Sequence, residues 1–433
     1  MPVLVAAGAV ILALAIAYHR LPVLFWWLVG FPIAAARVSF SYRATMDACG
    51  LTVPATAVRR ATARMMGRQA APVPPQRSLP RPTRSGLVIH LRMAAGQAPE
   101  DFAAAADRLR HAWGVHAVHL RPTRPGRLEL RLVGWDVLAD VQSPRRQHEE
   151  LLRLPVALRE DGDWHMRDFR TVPHELVLGA TQSGKSVYLR NLVCALARQP
   201  VALVGIDCKW GVEFAPFRPR LSALADTPDG ADHLLDILLE EMESRFRLIG
   251  SSSASGLASD IWGLPEHLRP VPVVLVVDEV AELFLASGKE DEKRRDSMVT
   301  KLIRAAQLGR AAGIHLEICG QRFGSELGKG ATMLRAQLTG RVCHRVNDES
   351  SANMALADIA AEAALAATTI PAERPGVAVV GDSSGGWSRV RSPHLSLSDA
   401  AAVCRETSAL VPELACFASL RPSVDALSLP VSD

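Results

Sequence analysis

Lysine is nearly missing from this sequence: it supplies six of the 49 cationic residues, and arginine the other 43. Cysteine is sparse in a more telling way. The seven cysteines include no C-x-x-C pair and no His/Cys spacing suited to zinc, which excludes a disulfide framework and a structural zinc site. They fit a reducing compartment, with Cys194, Cys208, Cys319 and Cys343 read as small buried hydrophobes. The chain also lacks internal repeats, and its histidines are scattered, so none is assigned catalysis. With 22% charged and 48% hydrophobic residues, composition excludes a disordered, collagenous or coiled-coil chain, and 433 residues allow about two or three domains.

Charge is divided unevenly. Residues 1–85 contain ten arginines, no lysine and one acid, Asp47, and so carry +9; the overall +4 leaves −5 for residues 86–433. The bulk of the chain is therefore mildly acidic, and its overall pI is no argument for nucleic-acid binding.

Long apolar runs are confined to the start. Residues 2–18 and 21–36 are uncharged, interrupted by His19 and Arg20. A helical span of the hydrocarbon core takes about 20 residues, with about 17 as the lower limit. Residues 1–36 are thus expected to form a membrane hairpin turning at His19–Pro22, with Trp26 and Trp27 as interfacial anchors. The rivals are one span followed by a surface segment, a buried hydrophobic hairpin, or a cleaved signal peptide. Arg37, Arg43, Arg59, Arg60, Arg64 and Arg68 place the following segment on the cytoplasmic side, either against anionic lipid or as a merely solvated linker. Residues 70–85 are rich in proline and read as a semi-stiff spacer, so 37–85 is expected to be a basic linker.

Residues 86–93 (GLVIHLRM) have strand character, and Phe102, Ala106, Leu109 and Trp113 recur at helical spacing. HAVHLRP and RLELRLVGW alternate like two strands joined at Pro122–Gly126. This order predicts a small α+β domain over 86–145. From about residue 174, apolar strands alternate with helices, the pattern of a parallel sheet. The strands are expected at 174–179, 201–207, 272–279, 314–321, 340–346 and 376–382, with helices at 187–198 and 231–249. The fold class is accordingly α/β, with the motor over 146–392 and a Ser/Leu/Ala-rich tail over 393–433.

The first of these strands ends in Gly179-Ala180-Thr181-Gln182-Ser183-Gly184-Lys185-Ser186, the pattern G-x-x-x-x-G-K-[ST]. Glycines let the backbone turn its N–H groups toward phosphate oxygens, and the following helix offers its positive end. In this pattern Lys185 reaches the β and γ phosphates of ATP, and Ser186 offers its hydroxyl to Mg²⁺. Further on, VVLVVDE closes a buried strand with Asp278 and Glu279. The first acid suits metal binding and the second can polarise an attacking water.

HELVLGATQSGKS, EEMESRFRLIG, VVLVVDEVAEL, LGRAAGIHLEICGQR and GRVCHRV, in that order, resemble the motor of the FtsK/SpoIIIE family of DNA translocases. The similarity covers roughly residues 86–392. It implies a RecA-like P-loop ATPase, preceded by a small α+β domain and a membrane anchor, that assembles as a hexameric ring around double-stranded DNA with its motor in the cytoplasm. It also implies that Gln321 is a sensor of the nucleotide and that Arg310 is a finger acting on a neighbour's γ-phosphate, with Arg304 the alternative. Asp207 and Lys209 stand in GIDCKWG, where the family often has Asp-Pro-Lys and this chain has Cys208 for the proline.

About 40 residues follow the motor, without a basic recognition helix, whereas chromosome-partitioning members carry a winged helix there. This departure is more similar to actinomycete conjugative-element transfer proteins. The expected function is ATP-driven movement of double-stranded DNA between cells from the cell membrane. The competing readings are a chromosome-partitioning translocase, a coupling ATPase for single-stranded DNA, a protein-secretion ATPase, and a scaffold with a vestigial site.

Overall fold

The structure, a computed structural model, describes residues 22–67, 69–144, 150–252, 258–324, 327–328, 330–356, 358–381 and 385–423. The chain divides into two compact units, residues 1–139 with 160–163, and residues 140–159 with 164–433.

The first unit opens with a helical segment, Pro22–Phe25, a π-helical turn, Trp26–Gly30, and helix α1, Phe31–Ala48. Pro32 has no N–H to give to the carbonyl four residues earlier, and the ladder widens there, with Phe31 N–H donating to Trp26 O. A short helix α2, Ala57–Met65, follows; then come strand β1, Gly86–Arg92, helix α3, Pro99–Trp113, and strands β2, Ala117–Arg124, and β3, Arg127–Val133. β3 pairs antiparallel with both β1 and β2. Alternate residues Leu87, Ile89 and Leu91 of β1 and Leu128, Leu130 and Leu132 of β3 point to one face. There they meet Phe102, Leu109 and Trp113 of α3 and Val38, Tyr42 and Met46 of α1.

This changes the reading of the chain's start. Residues 1–21 of the expected hairpin lie outside the described residues. Residues 22–36 lie in a helical segment that continues through the basic Arg37 to Ala48, where Val38, Tyr42 and Met46 pack into the α/β core, while Leu24, Trp27, Leu28 and Ile33 are exposed. Trp26, expected as an interfacial anchor, is 7% exposed and donates its Nε1–H to Gly86 O at 2.9 Å. Among the described residues no helix is long and apolar enough to cross a membrane. Part of the expected linker is likewise structured, since Tyr42 Oη donates to Pro75 O and the strand Gln76–Arg77 extends the small sheet beside β1.

The second unit is built on a ten-stranded sheet. Its strands are β4, Arg153–Arg159, β5, Trp164–Asp168, β6, His174–Leu178, β7, Ala202–Ile206, β8, Ala223–Ala225, β9, Val273–Val277, β10, Ile314–Gly320, β11, Gly340–His344, β12, Val377–Gly381, and β13, Trp387–Arg391. The order is β8-β7-β9-β10-β6-β11-β12-β13-β4-β5. The first six strands of that order run parallel and the rest antiparallel. Burial on both faces is why the parallel strands read as continuous apolar runs. Leu275 and Val277 of β9 pack toward the long helices α5, Pro228–Ser252, and α6, Lys289–Ala312, while Val274 and Val276 pack toward α4, Lys185–Ala197.

The six expected motor strands are present. The sequence reading did not place the hairpin β4–β5, the strand β13, or the helix at Leu397–Glu406 inside the expected tail. That helix buries Ala400 and Cys404 against the α4 side of the sheet, and Asn191 and Arg190 of α4 donate to Pro393 O and Leu395 O. Cys194, Cys319 and Cys343 are buried as expected, and Cys208 is half-buried.

Candidate active site

Parallel strands deliver their C-terminal ends to one edge of the sheet, where ligands bind in open α/β folds. β6 lies between β10 and β11 at that edge, so the phosphate loop that follows it is held from both sides. Gly179 N–H donates to Gly320 O after β10, and Ala180 N–H donates to Arg345 O after β11. Gln182 takes φ +62° and Gly184 φ +100°, which folds the loop back before α4 begins at Lys185. The amides of Thr181, Gln182, Gly184, Lys185 and Ser186 donate to no protein acceptor among the described residues. A curl of unpaired N–H groups at a helix N-terminus is an anion cradle. Two glycines are sterically required. A Cβ at Gly179 would sit 2.5 Å from Ser183 Oγ and 2.8 Å from His344 Cβ, and one at Gly184 would sit 2.1 Å from Gly376 N.

Beneath the loop, the end of β9 presents its two acids. Lys185 Nζ donates to Asp278 O at 3.1 Å and lies 3.5 Å from Glu279 Oε2. Gln321 N–H donates to Glu279 Oε1 at 3.2 Å. Asp278, Glu279 and Lys185 are therefore brought together, with Gln321 joined to them through its backbone N–H. Ser183 Oγ and Glu279 Oε2 are buried without a hydrogen-bond partner among the described residues. Buried polar atoms are ordinarily satisfied, so these two point to a polar ligand or water in the site.

Lys209 completes the cluster. Its Nζ lies 3.3 Å from Asp278 Oδ2 and 3.9 Å from Glu279 Oε2. Partial burial works against its charge, but the carboxylates of Asp278 and Glu279 outweigh this and hold its pKa above the ordinary lysine value. Burial raises the Asp207 carboxyl, with the amides of Lys209 and Phe214 opposing. His344, behind the loop, is pushed down to about 4 by burial, against the carbonyl of Val377 at 3.2 Å from Nδ1.

The donor set suits magnesium nucleotide. Ser186 and Asp278 offer a hydroxyl and a carboxylate, the hard oxygen ligands that magnesium supplements with water and phosphate. No cluster of three or more His, Cys, Asp or Glu able to hold a metal ion is found among the described residues.

Arg310 does not join this site. It is exposed at the C-terminal end of α6 and leads into the start of β10, the sheet edge opposite the phosphate loop; Arg304 is exposed on the same helix. Sequence reasoning missed three contributors: Arg345, whose Nη2 donates to Thr181 O at 3.3 Å; His344; and Gly376, whose N–H donates to Ser183 O. Arg345 and His344 stand in the GRVCHRV stretch, but only the β6–β11 pairing makes them neighbours of the loop.

Comparison with known proteins agrees with this geometry. Residues 14–134 match the actinomycete conjugal transfer protein N-terminal domain, and residues 137–325 match the FtsK/SpoIIIE family. The transfer protein TraSA of Streptomyces ambofaciens is 56% identical over 396 residues, which are 90% of this chain and 95% of that one. The DNA translocase FtsK of Campylobacter jejuni serotype O:23/36 is 28% identical over 223 residues, 49% of this chain and 22% of the translocase. In fold, the conjugation coupling protein TcpA of pCW3, solved as a monomer with ATPγS, is similar with a TM-score of 0.57 at 19% identity, covering 78% of this chain and 93% of that one. The phosphate cradle, the paired acids behind it and a near-full-length relative converge, and the chain belongs to the FtsK/SpoIIIE family of P-loop ATPases, alongside the actinomycete conjugal transfer proteins.

Proposed function

We propose that this chain is an ATP-driven double-stranded DNA translocase of conjugation, working at the cell membrane as a hexameric ring. The observation that carries the reading is the complete nucleotide site in a chain 56% identical to a protein named for transfer. The unpaired amides of Thr181, Gln182, Gly184, Lys185 and Ser186, with the Lys185 ammonium, would hold the triphosphate. Ser186 and Asp278 would hold magnesium, which when bound would supply Lewis-acid screening of the phosphate charge. Glu279, with Oε1 accepting from Gln321 N–H and Oε2 in ion-pair range of Lys185 but without a hydrogen bond among the described residues, orients and deprotonates the attacking water. Arg310 stands too far around the sheet to serve its own site, and in a ring it would act on a neighbour's γ-phosphate. The duplex would meet positive charge only along the ring's lining, since phosphate contacts supply sequence-independent affinity.

The test is ATP turnover by the full chain with linear duplex, single-stranded DNA or neither. Stimulation by duplex, and displacement of a triplex-forming strand, support the reading. Stimulation by single strands alone would favour a coupling ATPase, and turnover indifferent to DNA would favour secretion. Subunits with Arg310→Ala should regain turnover when mixed with Lys185→Ala subunits, and failure of that rescue removes Arg310 from the neighbour's site.

A further inference from the structure

The loop that carries Lys209 is clamped at its base and exposed at its tip. Asp207, buried after β7, accepts the amides of Lys209 on Oδ1 at 3.1 Å, and of Glu213 and Phe214 on Oδ2 at 2.9 and 3.2 Å. Phe214 is buried over Gly205, where a Cβ would lie 2.4 Å from its ring. Between these clamps, Trp210 and Gly211 are successive left-handed residues at φ +64° and +69°. A bulky residue seldom takes that conformation. Trp210 is moreover 80% exposed and Val212 68%. The tip is solvated and strained at Trp210; Gly211 N–H holds it to Asp207 O at 3.1 Å, and the Lys209 ammonium is its side-chain tether into the site, on Asp278 at 3.3 Å.

Asp278 is the carboxylate this site offers to a divalent cation, and here Lys209 stands in as its positive partner. The two cannot share that oxygen closely, because like charges at contact distance repel. We infer that Lys209 is a displaceable counter-ion of Asp278, and that magnesium nucleotide releases it and with it the Trp210 loop, which thereby reports the occupancy of the site at the protein surface. Lys209 is thus a positioning residue, acting through Asp278. The inference rests on the nucleotide site proposed above but not on the identity of the DNA.

The experiment follows Trp210 fluorescence of the full chain during titration with ATPγS, at fixed nucleotide with rising Mg²⁺, and with EDTA. Subtracting the signal of Trp210→Phe isolates Trp210 from the other tryptophans. The expected result is a Trp210 signal change that needs both Mg²⁺ and nucleotide. In Lys209→Met the loop signal should already lie at the bound level. The Mg²⁺ midpoint should fall about fivefold, the scale of one partly exposed ion pair. Lys209→Arg should restore wild-type behaviour. An unchanged Mg²⁺ midpoint and an intact Trp210 response in Lys209→Met would overturn the inference. Absence of ATPγS binding by the wild-type chain, measured by calorimetry, would overturn the nucleotide site and the switch together. Binding without stimulation by any DNA would overturn only the translocase.

Discussion

Gly184→Ala tests the physical account of the phosphate loop. Gly184 sits at φ +100°, and a Cβ there would meet Gly376 N at 2.1 Å, Gly376 Cα at 2.5 Å and Pro375 C at 3.2 Å. All three are backbone atoms, so no side chain can swing aside. The left-handed conformation costs an alanine about 1–2 kcal/mol. Pushing Gly376 away sacrifices its N–H bond to Ser183 O, about 0.5–1.5 kcal/mol, and displacing packed backbone adds about 1–3 kcal/mol. The expected loss is about 3–6 kcal/mol in urea unfolding, with loss of ATPγS affinity because the free amides no longer converge. Gly376→Ala is the comparator. It too lies at positive φ, +86°, but its nearest Cβ contacts are at 3.7 Å, so it should lose only the conformational term, about 1–2 kcal/mol. Equal losses in the two variants, or undiminished nucleotide binding by Gly184→Ala, would refute the steric argument.

The same reasoning extends to three other places. Trp26→Ala should cost the first unit about 3–5 kcal/mol in unfolding, because the ring fills the space over Gly30 and Gly134; an anchoring residue outside the fold would cost nothing there. Glu317 is buried with Arg167 Nη2 at 3.1 Å, yet burial, abetted by Glu175, outweighs that arginine and raises its carboxyl well above the ordinary range. The folded chain then keeps a proton that the unfolded chain gives up, so stability is full at low pH and declines as pH rises above the ordinary glutamate value; Glu317→Gln should flatten that decline in urea titrations across pH. His344 has the opposite sign. Held down to about 4 from 6.5, it leaves the unfolded chain to take up a proton first, so its contribution is lost as pH falls through that window, by about 3 kcal/mol. His344→Phe, which keeps a ring against Tyr188, should show a shallower acid slope over the same pH range.

Much of the motor was legible in the linear chain because its signals are local. Uninterrupted apolar runs bounded by turn residues need no partner to be recognised as buried parallel strands, and the spacing from Gly179 to Ser186 is dictated by what a backbone must do to face a phosphate. Asp278 and Glu279 were readable for the same reason, standing at the end of such a run. The start of the chain was less legible because apolarity does not name its solvent. Residues 22–36 are as uncharged as a lipid-facing helix, yet Trp26 among them is buried while Leu24, Trp27, Leu28 and Ile33 stay exposed.

Sequence alone determined the strands, the phosphate loop and the acids, since each is a property of contiguous residues and their periodicity. Tertiary structure decided what stands beside them. Strand order brought Arg345 and His344 to the loop, backbone from Gly376 closed over Gly184, and the fold of residues 207–214 carried Lys209 onto Asp278. Those contacts join residues 69 to 192 positions apart, and no pattern within a single stretch of chain encodes which distant segment the sheet will place alongside it.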